Sequence, residues 1–281
     1  QLFIHNPNGG LHKEFLLMAV LAPFCARLVA DPRPVSRAER LLLSAVMAVL
    51  TLCHEMLFAY MPLFLIAMRL TPRAPTTAVL RDALILLPAA VCTLWIVSFH
   101  RGDSGIVAAI CASLAAQAPS DCGAGDPFLG AVSFLAVDTS SAIAYTLYRT
   151  PSPVAISYVI GALLSLLPFV VVARLSNIGS LLRQREPRSL ALLMAAVIAQ
   201  FAVLNVIAVD HGRFIHILVV GMTLSLLVAM HAHGEALQFR RARHPRLAIA
   251  LAVLFVLGWK LKHAEMWPGK LLWWSKWVVI V

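Results

Sequence analysis

Two short clusters of ionisable residues break otherwise apolar stretches, and both hold the types that proton transfer and anion binding need. His54-Glu55 lies inside the apolar stretch 41–68. Asp210-His211-Gly212-Arg213 joins the apolar stretches 189–209 and 214–230. A charged group near the centre of a membrane helix costs about 2.5–3.5 kcal/mol on insertion scales, and less at the interface. On the functional reading Glu55 is a general base, and His54 is its neighbour or a hydrogen-bond donor to substrate. A polar turn at the membrane surface, or a buried pair that stitches helices together, is the structural alternative. In the second cluster Arg213 offers a planar fork suited to phosphate. Asp210 is an acid able to activate a hydroxyl, and His211 adds a further contact to substrate. Asp210 and Arg213 could equally pair with each other across one helical turn.

The first residues, His5-Asn6-Pro7-Asn8-Gly9-Gly10, read as turn chemistry. Successive backbone N–H groups there could also hold an anion, with Lys13 adding charge. The glycine spacing is not that of a nucleotide loop, and no strand precedes it. Five cysteines divide by surroundings. Cys25, Cys53 and Cys92 sit in apolar runs, as core residues do. Cys111 and Cys122 share a polar stretch, where an oxidising compartment permits a disulfide. Neither has a partner at the C-x-x-C spacing of zinc sites, and no metal or other cofactor is expected. The tail from Trp259 to Trp277 holds five of the six tryptophans, which favour the headgroup region.

These clusters need elements to hold them. Sixty per cent of the residues are apolar and 13 per cent charged, too little polar surface for a soluble chain of 281 residues. Apolar runs of about 17 residues or more recur, each long enough for a bilayer core. The expected fold class is therefore all-α: one integral membrane domain over 1–281, a helical bundle of about eight spans, within a range of six to eight. Spans are read at 15–30, 41–68, 83–99, 153–173, 189–209, 214–230 and 247–259. An external loop fills 100–150, in which 131–148 is only mildly apolar and suits the membrane surface. The chain opens on Gln1, which gives the expectation of a piece lacking earlier N-terminal spans. The net charge of +10 fits cytoplasmic loops and anionic headgroups, and no basic stripe with interleaved aromatics points to nucleic acid.

Arginine distribution gives an orientation. The loops at 31–40, 69–82, 174–188 and 232–246 hold 14 of the 23 Lys and Arg. All four can face the cytoplasm only if 41–68 crosses twice, as two short helices meeting near His54-Glu55. A single long helix there would put one triple-arginine loop outside. On the hairpin reading His54, Glu55, Asp210, His211 and Arg213 gather on the outer face.

The span pattern, the outer-loop cysteine pair and the two polar clusters resemble the bacterial envelope-polysaccharide polymerases and related membrane-embedded glycosyltransferases. The arginine-and-glycine loop pattern of O-antigen polymerases is not evident. The resemblance implies a bacterial inner-membrane, multi-pass enzyme that transfers an oligosaccharide from a polyprenyl-diphosphate donor without a dissociable nucleotide cofactor. Its partners would be membrane lipid, a lipid-linked oligosaccharide and further membrane subunits. Three other readings stay open: an outer-face acyltransferase acting on sugars, a transporter or flippase, and a non-catalytic assembly subunit. Ionisable residues are scarce in the spans after residue 83, which counts against ion-coupled transport.

Overall fold

A computed structural model describes residues 14–31, 33–71, 79–99, 103–114, 122, 132, 136–150, 152–178, 187–208 and 211–234. Among these the chain is all-helical. The helices are α1 (Glu14–Ala30), α2 (Arg37–Cys53), a 3₁₀ turn (Glu55–Tyr60), α3 (Pro62–Arg69), α4 (Val79–Ala83), α5 (Leu87–Phe99) and α6 (Ser104–Leu114). A short 3₁₀ segment, Leu84–Leu86, links α4 to α5. The remainder are α7 (Thr139–Arg149), α8 (Ser152–Ser165), α9 (Leu167–Leu175), α10 (Pro187–Ile207) and α11 (His211–Ala232).

Local chemistry sets the ends of α2. Ser36 and Glu39 form a reciprocal capping box at its start. No glycine or proline follows until the helix stops at His54, whose backbone is extended. The His54 imidazole then accepts the Met56 N–H at 3.2 Å, capping the 3₁₀ turn. Pro62 opens α3, where its missing N–H costs nothing.

The stretch 41–68 is thus a helical hairpin, and one carboxylate records it. Asp82 Oδ2 lies 2.9 Å from Arg69, and Asp82 Oδ1 lies 3.4 Å from Arg40. A continuous helix from 40 to 69 would hold those two arginines roughly 43 Å apart. Arg40, Arg69 and Asp82 therefore share one end of the bundle. Nearby, Arg27 forks onto Glu39 at 2.7 and 3.0 Å and also donates to the carbonyls of Asp31 and Arg33. This clasp closes the α1–α2 turn.

The returning arm is the centre of the molecule. Every residue from Pro62 to Met68 in α3 is buried. α3 packs against α1, α10 and α11, while the 3₁₀ turn packs against α2, α5 and α10. Gly221 of α11 meets Leu63 of α3, and any Cβ there would overlap the leucine Cδ1. The outer surface is the reverse. Leu87, Val91, Leu94 and Trp95 of α5, and Leu192, Ile198 and Val203 of α10, are exposed. In water this would be an aggregation surface; in lipid it is a match.

Among the described residues, three helices are long and apolar enough to cross a membrane: 81–99, 190–207 and 211–232. The expected spans at 15–30 and 153–173 are shorter apolar helices. The second is broken at Leu166, where α8 ends and α9 starts with Pro168 in its first turn, because proline cannot donate to the helix ladder. The expected span 247–259 lies outside the described residues, as does most of the loop 115–135. Cys111, in α6, forms a disulfide with Cys122. The mildly apolar segment 131–148 yields α7, which buries Ala142 and Thr146 and exposes Leu147 and Tyr148.

The shared carboxylate gives a direct test. Asp82→Asn strands two guanidiniums whose side chains are 15 % and 3 % exposed. Removing one partner of a buried ion pair costs about 3–5 kcal/mol. Equilibrium unfolding in detergent should show a loss of that size, while a change below about 1 kcal/mol would mean that the cluster does not hold the hairpin closed.

Candidate functional site

The clearest built site lies at the start of α11. His211 is its first residue and is buried, at 5 % exposure. One ring nitrogen, Nδ1, is 2.8 Å from Asn205 Oδ1. The Asn205 amide nitrogen donates to the Phe201 carbonyl at 2.7 Å, which fixes the orientation of that amide. Asn205 Oδ1 is then an acceptor, so Nδ1 of His211 carries the proton. The other nitrogen, Nε2, lies 2.9 Å from Thr150 Oγ1. In the neutral ring Nε2 accepts, and the Thr150 hydroxyl donates. Tyr158 of α8 presses against the imidazole edge-on, with ring centroids 4.8 Å apart.

Each member is positioned by its helix. Asp138 caps α7: it accepts the Ser141 N–H at 2.9 Å and the Ser141 hydroxyl at 2.6 Å, and it accepts the Ser140 hydroxyl as well. These donors, the Ser140 hydroxyl foremost, hold the exposed Asp138 carboxyl well below the usual carboxylate range. α7 ends at Arg149, whose guanidinium stacks over Tyr145, and Thr150 is its half-exposed C-cap. Asn205 sits in the last turn of α10, which packs against α7. His211 thus joins the ends of three helices. Among the described residues, the Thr146 hydroxyl and Gln200 Oε1, on the facing helices α7 and α10, are buried with no hydrogen-bond partner. They leave polar capacity between α7 and α10, of the kind that water or a ligand hydroxyl fills.

Arg213 is half-buried in the first turn of α11, two residues from His211. Helix N-termini present free N–H groups and a partial positive charge to anions. His216 is turned inward, with Nδ1 2.7 Å from the Gly212 carbonyl.

The other cluster sits at the hairpin tip. Glu55 has a side chain 42 % exposed, and His54 Nδ1 is 3.6 Å from Glu55 Oε2. The same Nδ1 accepts the Met56 N–H, so the two contacts compete for one nitrogen; the shorter is the better hydrogen bond. With Nδ1 an acceptor, the neutral ring presents Nε2–H, a donor. α10 packs against both the 3₁₀ turn that carries Glu55 and α7, whose C-cap is Thr150. Asp210 and Lys13, the remaining expected site residues, lie outside the described residues.

Sequence reasoning picks out His54, Glu55, His211 and Arg213 and misses Thr150, Asn205 and Tyr158. Asn205 carries a signal, as an amide within an apolar run only six residues from His211. Thr150 carries none beyond its place in the sequence Thr-Pro-Ser-Pro.

Nitrogen-15 NMR of the histidine side chains should show His211 as the Nδ1–H tautomer. Asn205→Leu should release that preference and cost about 1–3 kcal/mol, because the Nδ1–H is then buried without an acceptor. An Nε2–H tautomer in the unaltered chain would contradict the order Thr150 to His211 to Asn205 in which the protons are donated.

Comparison with protein-family models, curated proteins and solved structures finds no match for this chain.

Proposed function

We propose that the chain is a multi-pass transferase of a bacterial inner membrane that moves a sugar or oligosaccharide from a polyprenyl-diphosphate carrier to a hydroxyl acceptor. On this reading the four arginine-rich loops face the cytoplasm, and the chemistry takes place at the opposite face. One observation carries it: a buried imidazole, oriented by Asn205 with Nε2 directed at the hydroxyl of the half-buried Thr150, stands two residues from an arginine at a helix N-terminus.

The parts then have distinct tasks. Arg213 and the first N–H groups of α11 bind the diphosphate and stabilise the charge that grows on it as the bond to the sugar breaks. The acceptor oxygen bonds to the anomeric carbon, the diphosphate leaves on its carrier, and the acceptor proton passes to a base. His211 Nε2, Glu55 and Asp210 are the candidate bases. His54, through Nε2–H, orients a sugar hydroxyl, and Lys13 is the further cation that this reading assigns to the phosphates. The exposed apolar flank of α10 gives the carrier lipid a surface to lie against. The reaction needs no nucleotide, because the donor already holds its leaving group.

The test is turnover of a lipid-linked oligosaccharide by the protein in proteoliposomes. Arg213→Lys should lower it about 10-fold or more, since an ammonium keeps the charge but loses the bidentate fork. Glu55→Gln should lower it by roughly 10²–10⁴, the range for a lost general base, while the protein stays folded. Unchanged turnover per folded molecule in both variants would reduce the two clusters to structural roles and overturn the assignment.

A further inference from the structure

We propose that Thr150, His211 and Asn205 form a nucleophile, a base and an orienting residue for acyl transfer, with Thr150 Oγ1 as the covalent carrier of the acyl group. This goes beyond sugar transfer and does not depend on it: in sugar transfer Thr150 stays unmodified, and in acyl transfer it is esterified.

The geometry has the three elements that an activated hydroxyl requires. The nucleophile is 2.9 Å from the base, and the base is 2.8 Å from a group that fixes its tautomer. Asn205 is itself locked by its bond to the Phe201 carbonyl. The imidazole is buried and gripped by Tyr158, whereas Thr150 is half-exposed, so a donor can reach the hydroxyl without displacing the base. An amide in place of a carboxylate keeps the buried site uncharged, at the cost of a weaker base. The N–H groups of the first turn of α11 lie next to His211 and suit a carbonyl oxygen as it becomes an oxyanion. One helical turn before Thr150, the buried Thr146 hydroxyl has no hydrogen-bond partner among the described residues and offers a polar contact to the group being carried.

The chemistry balances on these residues. Thr150 Oγ1 attacks the carbonyl carbon of a thioester or activated ester as its proton passes to His211 Nε2. The tetrahedral intermediate collapses, the thiolate or alkoxide leaves, and it takes that proton from Nε2. An ester on Thr150 and a neutral imidazole remain. An acceptor hydroxyl then gives its proton to Nε2 and attacks the ester carbonyl, and Thr150 leaves as the alcohol with that proton restored. The acceptor is thus a hydroxyl compound, and no oxidant, reductant or metal enters the balance.

The test uses the full chain in detergent with 4-nitrophenyl acetate as the donor, in a Cys53→Ser background that removes an exposed free thiol. A stoichiometric burst of nitrophenolate is expected, with one acetyl group located by peptide mass analysis at position 150. Thr150→Ser should keep the burst and make it faster, because a primary hydroxyl is less hindered. His211→Asn should slow it by about 10²-fold or more. Should His211→Asn not fold, Asn205→Asp serves instead: it keeps the shape, strengthens the base and should speed acetylation. Absence of acetyl at position 150, or a rate there unchanged by the His211 or Asn205 variant, overturns the proposal and leaves the three residues as a clamp between helix ends. Sugar transfer indifferent to Arg213→Lys and Glu55→Gln would overturn only the preceding proposal.

Discussion

The structure depends on one carboxylate that answers two arginines. Asp82 binds Arg40 from the start of the outgoing helix and Arg69 from the end of the returning one. That pairing brings the two ends of 41–68 together, and the chain between them has to turn back at His54. Once it turns, the returning arm is enclosed. Pro62–Met68 of α3 are all buried, and α1, α10 and α11 close around them. Burying this short helix is what puts α10 and α11 side by side, and their junction is where His211 meets Asn205. The ion cluster at one end and the polar relay at the start of α11 are therefore linked through a single buried element.

Energetics favour this division of labour. A buried carboxylate with two guanidiniums is strongly disrupted by loss of a partner and adds little against an apolar substitute, so its contribution is to register rather than to net stability. The mass of stabilisation comes from the packed apolar contacts of α3, such as Leu63 against Gly221 and Phe64 against Phe24, whose ring centroids are 5.6 Å apart. The close approach at Gly221 lets α11 lie directly on α3, and a larger side chain there would push the two apart.

Much of the frame was legible in the sequence because it follows from strong local signals. Apolar length and the scarcity of charge gave an all-helical membrane chain. The arginine count per loop, with the polar break at His54-Glu55, gave the hairpin, and Pro62 stands at the helix start such a turn requires. Cys111 and Cys122 were paired by their shared polar loop. The relay was only half legible. His211 stands out as an ionisable residue between apolar runs, but Thr150 and Asn205 are neutral and sit where turns and helix ends ordinarily carry such residues. Their meaning arises from a contact across 61 residues of chain, which no local pattern encodes. The break at Pro168 was visible as a proline, yet the run around it reads as one continuous span.

Both proposed activities place the junction of Thr150 and His211 at the face opposite the arginine clusters. The direct measurement is sidedness, with single cysteines placed at Thr150 and at Ser36 in a chain whose Cys25, Cys53 and Cys92 are replaced by serine. A membrane-impermeant thiol reagent applied to intact cells should modify the reporter at Thr150 and spare that at Ser36, which should react only after permeabilisation. Modification of both reporters from the same side would contradict the arrangement and the function built on it.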